Sequence, residues 1–417
     1  MFNAIANAFR IPDLRKKILF TLGMIALYRI GSYIPVPGVD VSYVENLVGG
    51  QSSLAMLNLF TGGALETFSI FALGIMPYIT ASIIMQLLQA AIPALERLRK
   101  EGEAGQRKIT QITRYLTLGI GLIEAIGLLF VFQDAMVANS AVPGWLTSTI
   151  VVVSLLAGTA LIMWLAELIS QRGVGNGMSI LIFTNIVARF PQALVDSMGT
   201  SVPMTVVTAI VILLVIMAII YIDRGQRRIP VQYAKRVVGR KVYGGSSTYI
   251  PLKVNGANVV PIIFATAILS IPVQMVYFFP NTDWLITTAN ALASGWVNWL
   301  VTFGLIVFFS YFYTALVFNP IELSDNLRKQ GGFIPGIRPG QQTTDHIETV
   351  MNRIILPGAL FLGVIAVGTS VLFQATNSQL VSQFGGTSIL IMVGVALETM
   401  TQIESQLKMR HYDGFFK

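Results

Sequence analysis

The sequence predicts an all-α polytopic membrane protein of ten transmembrane helices, and three observations carry that reading. The 417 residues are 54% hydrophobic and only 12% charged, with mean hydropathy +0.69, far from the composition of a soluble domain. Apolar spans of about 20 residues, enough to cross a hydrocarbon core of roughly 30 Å as a helix, recur from end to end. Basic residues also fall in some loops and are missing from others, as the positive-inside rule requires of alternating spans.

Residues 1–16 read as an amphipathic lead with Phe2, Ile5 and Phe9 apolar, closed by a Pro12-Asp13 helix start. Such a segment is expected to lie on the membrane surface. The cluster Arg10, Arg15, Lys16 and Lys17 leads into a full-length span with no small-residue cleavage site. No signal peptide is therefore expected, and the N-terminus should stay in the cytosol. The spans fall at about 17–36, 68–92, 112–132, 148–169, 179–190, 204–222, 258–279, 299–319, 350–373 and 385–403. They divide into an N-terminal half, 17–200, and a C-terminal half, 201–403, followed by a cytosolic tail, 404–417.

Loops 37–67, 133–147, 280–298 and 374–384 contain no Lys or Arg. By contrast, 93–111 carries Arg97, Arg99, Lys100, Arg107 and Lys108, 223–257 carries eight basic residues from Arg224 to Lys253, and 320–349 carries Arg328, Lys329 and Arg338. Both termini are then cytosolic. The loops 223–257 and 320–349 are also longer than topology needs, and long loops are commonly functional.

The second span is prefaced by Gly62-Gly63 and broken by Gly74 and Pro77. Backbone that departs from a helix at bilayer depth is tolerated where protein buries it or where it lines a wet path, so residues 58–92 are the first place to seek a pore or binding site. A weak repeat supports this: Pro77–Ile84 and Pro261–Ile268 both fit P-x-x-x-A-[ST]-x-I, and each opens a span. Five spans apart, they run in opposite directions, the pattern of an inverted repeat whose site lies at the interface of the halves. Ile75 and Ile79 share one helix face, as do Ile182 and Ile186. On a lipid-facing helix such pairs carry no meaning, whereas around a common axis they would form a dry constriction.

Enzymatic chemistry finds little support. The chain has no cysteine and two histidines, His346 and His411, neither with a nucleophile or second ligand at useful spacing, so no metal, cofactor or catalytic residue is expected. Gly173-Val-Gly175-Asn-Gly177 lacks the Lys of a phosphate-binding loop and reads as a tight turn. Glu124, Glu398 and Arg29 lie within spans, where ionisable groups are functional candidates. They are compatible with a proton relay, with hydrogen bonding to helix neighbours or, for Arg29, with snorkelling to the interface. On the residues alone, a secondary transporter with inverted repeats and an ion channel with an apolar gate both stay open.

Longer blocks are more specific. IGSYIPVPGVD at 30–40, FTGGALETFSIFALGIMPYITASIIMQLL at 60–88, QRGVGNGMSILIF at 171–183, VVGRKVYGGSSTYIPLKVNGANVVP at 237–261 and GGFIPGIRPGQQT at 331–343 strongly resemble the SecY family, channel subunits of the bacterial Sec protein translocase. The resemblance runs through essentially the whole chain, departing only in a short N-terminus and tail. It implies a ten-helix channel of two inverted halves around a central pore, in the bacterial plasma membrane, that passes unfolded secretory proteins outward and releases membrane segments sideways into lipid. It implies SecE and SecG as companion subunits, the SecA motor ATPase and the ribosome with its RNA as cytosolic partners, and signal peptides and nascent chains as substrates.

Carried over residue by residue, the resemblance puts a pore ring on Ile75, Ile79, Ile182, Ile186, Ile263 and Ile391. It puts a plug, a short half-helix, on Thr61, Gly62, Gly63, Ala64, Leu65, Glu66, Thr67, Phe68, Ser69 and Ile70. A lateral gate falls between the second and seventh spans, with Pro77, Thr80, Glu124, Pro261 and Ile271. Motor and ribosome docking falls on Arg240, Lys241 and Arg338.

Overall fold

Helices lie at each of the ten predicted spans. The computed structural model describes residues 9, 11–50, 54, 58, 60–136, 143–200, 202–233, 236–238, 241–243, 247–279, 282–293, 295–376 and 386–413. In chain order the helices and strands are α1 (Pro12–Gly31), α2 (Val41–Gly50), α3 (Met76–Ala91), α4 (Pro93–Lys100), α5 (Glu103–Val131), α6 (Gly144–Arg172), α7 (Gly177–Thr200), α8 (Val202–Asp223), β1 (Gln226–Tyr233), β2 (Arg236–Val238), β3 (Lys241–Tyr243), β4 (Ser247–Lys253), α9 (Val260–Phe278), α10 (Asp283–Ala293), α11 (Trp296–Val317), α12 (Pro320–Lys329), β5 (Gly332–Phe333), α13 (Gln341–Thr376) and α14 (Gly386–Asp413). Among the described residues, seven helices are individually long and apolar enough to cross a bilayer: α5 to α8, α11, α13 and α14. Of the other three at predicted spans, α1 carries charge at both ends, while α3 and α9 start at prolines.

Small and hydroxyl residues form the packing stripes. On α5 the buried positions include Thr113, Thr117, Gly121 and Ala125, and on α11 Thr302, Ile306, Ser310 and Thr314. Spacing by four keeps them on one face, and small side chains let helices approach closely where lipid offers no hydrophobic drive. The hydroxyls stay satisfied inside their own helices: Thr117 donates to the Thr113 carbonyl at 2.8 Å and Ser310 to that of Ile306 at 2.7 Å.

The packing order repeats between halves. In the first, α1 packs on α6, α3 on α5, α5 on α6 and α6 on α7; in the second, α8 packs on α13, α9 on α11, α11 on α13 and α13 on α14. The halves meet along α3 and α5 against α9, and again along α7 against α14.

Basic loops gather at one end of the bundle. Lys17, near the start of α1, bonds Gln406 near the end of α14 at 3.4 Å, and Arg99 on α4 donates to the Leu316 carbonyl at the end of α11. Loops 223–257 and 320–349, longer than topology needs, join in one sheet of order β4-β1-β5, with Gln232 opposite Phe333 and Tyr233 opposite Gly332. Beneath it Ile229, Val231, Leu252, Leu327, Ile334 and Ile347 form a separate core. Pro230 is tolerated in the middle strand because β5 flanks only residues 232–233. Two of the loops without Lys or Arg meet at the other end, where Val39 bridges Met136 and the Asp40 amide donates to the Ala135 carbonyl at 2.8 Å.

Several expected boundaries move. The second span opens as helix at Met76 rather than 68, because Gly62, Gly63, Phe68 and Gly74 all take positive φ. Residues 62–75 therefore run through turns, and the half-helix expected at 61–70 is absent. The fifth span continues past Pro191 to Thr200, and α14 runs through most of the expected tail. Of the lead, Phe2 and Ile5 lie outside the described residues. The glycine run 173–177 is a tight turn, seated where Thr21 accepts the Val174 amide at 3.0 Å.

Candidate functional site

Proline and left-handed backbone create the site by starting two helices in the middle of the bundle. Pro77 and Pro261 each stand near the start of their helix, where the missing N–H costs nothing and the fixed φ suits a helix. Ile75 caps α3 with φ −93° and ψ −1°, and Val259 caps α9 with φ −90° and ψ −9°. The Ile75 carbonyl accepts from Tyr78 and Ile79, and that of Val259 from Ile262 and Ile263, all at 3.1–3.2 Å. The eight-residue sequence repeat is thus a repeat of backbone geometry.

The six isoleucines expected at the ring come from four helices and fall in one buried cluster. Ile75 and Ile79 stand at the start of α3, Ile182 and Ile186 on α7, Ile263 on α9 and Ile391 on α14, and none is more than 5% exposed. Burial together settles the ambiguity of the isoleucine spacing: these pairs do not face lipid.

The turn-rich loop 61–75 is packed into the bundle beside them. Its Phe71 stacks on Tyr28 of α1 with ring centroids 5.5 Å apart, and its Phe68 meets Phe132 edge-on at 5.2 Å. Residues 34–36 hold it by backbone bonds, Val36 to Phe68 at 2.9 Å and Ile70 to Ile34 at 3.0 Å. Gly158 on α6 makes room, since a Cβ there would sit 1.7 Å from the Ile70 carbonyl oxygen.

Polar side chains from α1 and α7 grip the same loop. Arg29 donates to the Gly62 carbonyl at 3.1 Å, Asn185 to that of Phe60 at 2.6 Å, and Arg189 pairs with Glu66 at 2.5 Å. The Gly62-Gly63 turn fits this grip. Both residues have positive φ, and added Cβ atoms would lie 2.7 Å from Asn185 and 2.9 Å from Arg189. Arg29, for which snorkelling was one expectation, reaches inward to the loop. Beneath it, the Tyr28 hydroxyl and the Asn185 side chain are buried.

Between the halves, Pro77 and Pro261 are buried, Thr80 and Glu124 are half-buried, and Ile271 is 37% exposed. Glu124 lines a cavity of about 30 Å³, room for a water, together with Leu65 of the loop, Met76 of α3 and Gln274 and Phe278 of α9. The cavity therefore joins the loop to the α3–α9 seam. Glu398 on α14 is half-buried and does not line this cavity.

At the basic end Arg338 is exposed, and its main chain is fixed by Thr343, whose hydroxyl donates to the Arg338 carbonyl at 3.0 Å. Lys241 opens β3, paired with Val238; Arg240 lies outside the described residues. His346 lies in the second turn of α13, and among the described residues no three His, Cys, Asp or Glu stand close enough to hold a metal. Sequence reasoning passed over Arg189, and also the two-point pair in which Arg114 of α5 holds Glu167 of α6, with Nε to Oε1 at 2.8 Å. The available signal was an ionisable residue inside a predicted span.

A family model described as SecY matches residues 69–400. The chain is 47% identical to the protein translocase subunit SecY of Streptomyces scabiei and 45% identical to that of Mycobacterium tuberculosis strain ATCC 25618 / H37Rv, each comparison covering 100% of both chains. Its fold is similar to a solved structure described as "The structure of a protein conducting channel", with TM-score 0.66, 16% identity and 96% of both chains covered. It is also similar to the canine Sec61 of a ribosome-channel complex from the endoplasmic reticulum, with TM-score 0.61, 15% identity and 96% of both chains covered.

Proposed function

The chain belongs to the SecY family, and from that premise we infer that it moves polypeptides through the isoleucine cluster where its two halves meet. It is a multi-pass membrane protein and the channel subunit of a protein translocase. The observation that carries the inference is the shared burial of six isoleucines from four helices beneath a loop built of turns.

Aliphatic side chains suit this role. They make no hydrogen bonds to a passing backbone, they exclude water and ions when packed together, and their dispersion contacts re-form around a chain of any sequence. The loop 61–70 acts as the plug over them. The seam between α3 and α9 acts as the lateral gate; its support is the pair of prolines and the Glu124 cavity at the junction. A hydrophobic segment parting that seam would exchange helix contacts for lipid contacts of similar worth, which keeps the step reversible.

The energy for movement comes from partners, and this chain performs no catalysis. The β1–β5 platform with Arg338 is the docking surface for the SecA motor, where a guanidinium can bind carboxylates through two bonds. Basic residues of the same end, Lys241 among them, suit ribosomal RNA phosphates. SecE and SecG complete the complex, and the exposed apolar flank of α8, with Val206, Ile210, Leu213 and Met217 each more than half exposed, leaves room for a membrane companion. The complex sits in the bacterial plasma membrane with both termini cytosolic. A small-solute transporter finds no support once the family is known.

Reconstitution tests the reading. Vesicles containing the chain, its small membrane subunits and the motor ATPase should shelter a secretory precursor from added protease when ATP is present. A precursor left fully digestible, with the motor still hydrolysing ATP, would contradict it.

A further inference from the structure

Among the described residues, one ion pair joins loop 61–75 to the helices around it, Arg189–Glu66. Glu66 Oε2 accepts from Arg189 at 2.5 Å and from Asn58 Nδ2 at 2.9 Å, while Asn58 Oδ1 takes the Glu66 amide at 3.1 Å. A single carboxylate oxygen therefore joins the loop both to α7 and to Asn58 just ahead of it. The other two grips, from Arg29 and Asn185, take backbone carbonyls, acceptors that carry no net charge. Glu66 is different, because its grip depends on its charge.

Exposure points the same way. The Asn185–Phe60 bond is buried, whereas the Arg189 and Glu66 side chains are 21% and 37% exposed. The ionic grip stands at the rim of the seat, where water or an arriving segment can compete for it, while the Asn185 bond lies deeper. Exposed pairs are weak and buried unpaired charges are costly, so a pair half in water is suited to be broken and remade.

We propose that Arg189 and Glu66 form the latch that sets how readily the plug leaves its seat, making them positioning residues that determine how hydrophobic a signal segment must be to open the channel. The proposal rests on the plug reading of residues 61–70. A strongly apolar segment gains enough by entering the seam to release the latch, and a weakly apolar one does not. With the latch removed, the weak segment should pass.

The test uses the full complex in vesicles and two precursors, one with its normal signal and one with a signal shortened in its apolar run. Arg189→Gln and Glu66→Gln should each raise export of the weakened precursor about tenfold, the change expected for roughly 1.4 kcal/mol of lost latch. Exchanging the charges, Glu66→Arg with Arg189→Glu, should return export toward the parental level. Failure of the exchange to restore selectivity would overturn the latch in favour of a merely structural role.

The chain has no cysteine, so Glu66→Cys with Arg189→Cys places a unique pair. Joined by a short bis-maleimide, that channel should block even the normal precursor; undiminished export from a fully joined channel would overturn the proposal. Deletion of 61–70 separates the two readings. If the deletion leaks ions and the Gln variants match the parent, the latch falls and the plug stands. If the deletion does not leak, both fall.

Discussion

Gly74 and Asn258 each stand three residues ahead of the proline that starts α3 or α9, and both are left-handed, with φ +59° and +52°. Downstream of them the two helices start with matching caps. Upstream they differ. α3 follows a loop of turns packed among α1, α6 and α7, while α9 follows directly from β4 of the exposed platform. One backbone device thus stands in both halves with different attachments, a packed loop of turns on the first and a sheet on the second. The proposed roles of the two attachments, sealing and motor docking, should therefore be separable by mutation.

The largest effect should come from deleting residues 61–70. Complex assembly should persist, because the helix stripes are untouched, but the resting channel should conduct ions in planar bilayers. Conductance equal to the parent would break the assignment of sealing to the first half. Next in size is Arg338→Glu on the platform. Motor-driven export should be lost while membrane insertion of the chain and its resting conductance are unchanged; normal ATP-driven export would remove docking from the second half.

The smallest effect sharpens the shared device itself. Gly74→Ala places a Cβ in left-handed backbone, 3.1 Å from Thr61 Cγ2, and should cost about 1–2 kcal/mol, seen as a lower unfolding temperature in detergent. Asn258→Gly, already at a position glycine favours, should shift stability by less than about 1 kcal/mol. Equal losses at the two sites would mean that the similarity of the caps is not functional equivalence.

Much of this was legible beforehand. Hydropathy is a local property, so the spans could be read directly, and Pro77 and Pro261 marked the matching helix starts. The repeat stopped at the prolines because Gly74 and Asn258 share a conformation and not a residue type. Arg189 and Glu66 lie 123 positions apart, and Arg114 and Glu167 lie 53 apart; no local pattern pairs them. The platform escaped notice because β1 and β4 carry Pro230 and Pro251 and β5 is two residues long, short of the alternation that signals a strand. The ring residues became identifiable from the family resemblance. Spacing alone left Ile75, Ile79, Ile182 and Ile186 as two unremarkable pairs.

The central claim is that polypeptide passes through the isoleucine cluster. A photo-crosslinking residue placed at Ile182, at Ile263 or at the exposed Ile210 on the outer flank of α8 of a channel stalled during secretion tests it most directly. The precursor should be captured at the first two positions and not at the third. No capture at Ile182 and Ile263, or equal capture at Ile210, would contradict it.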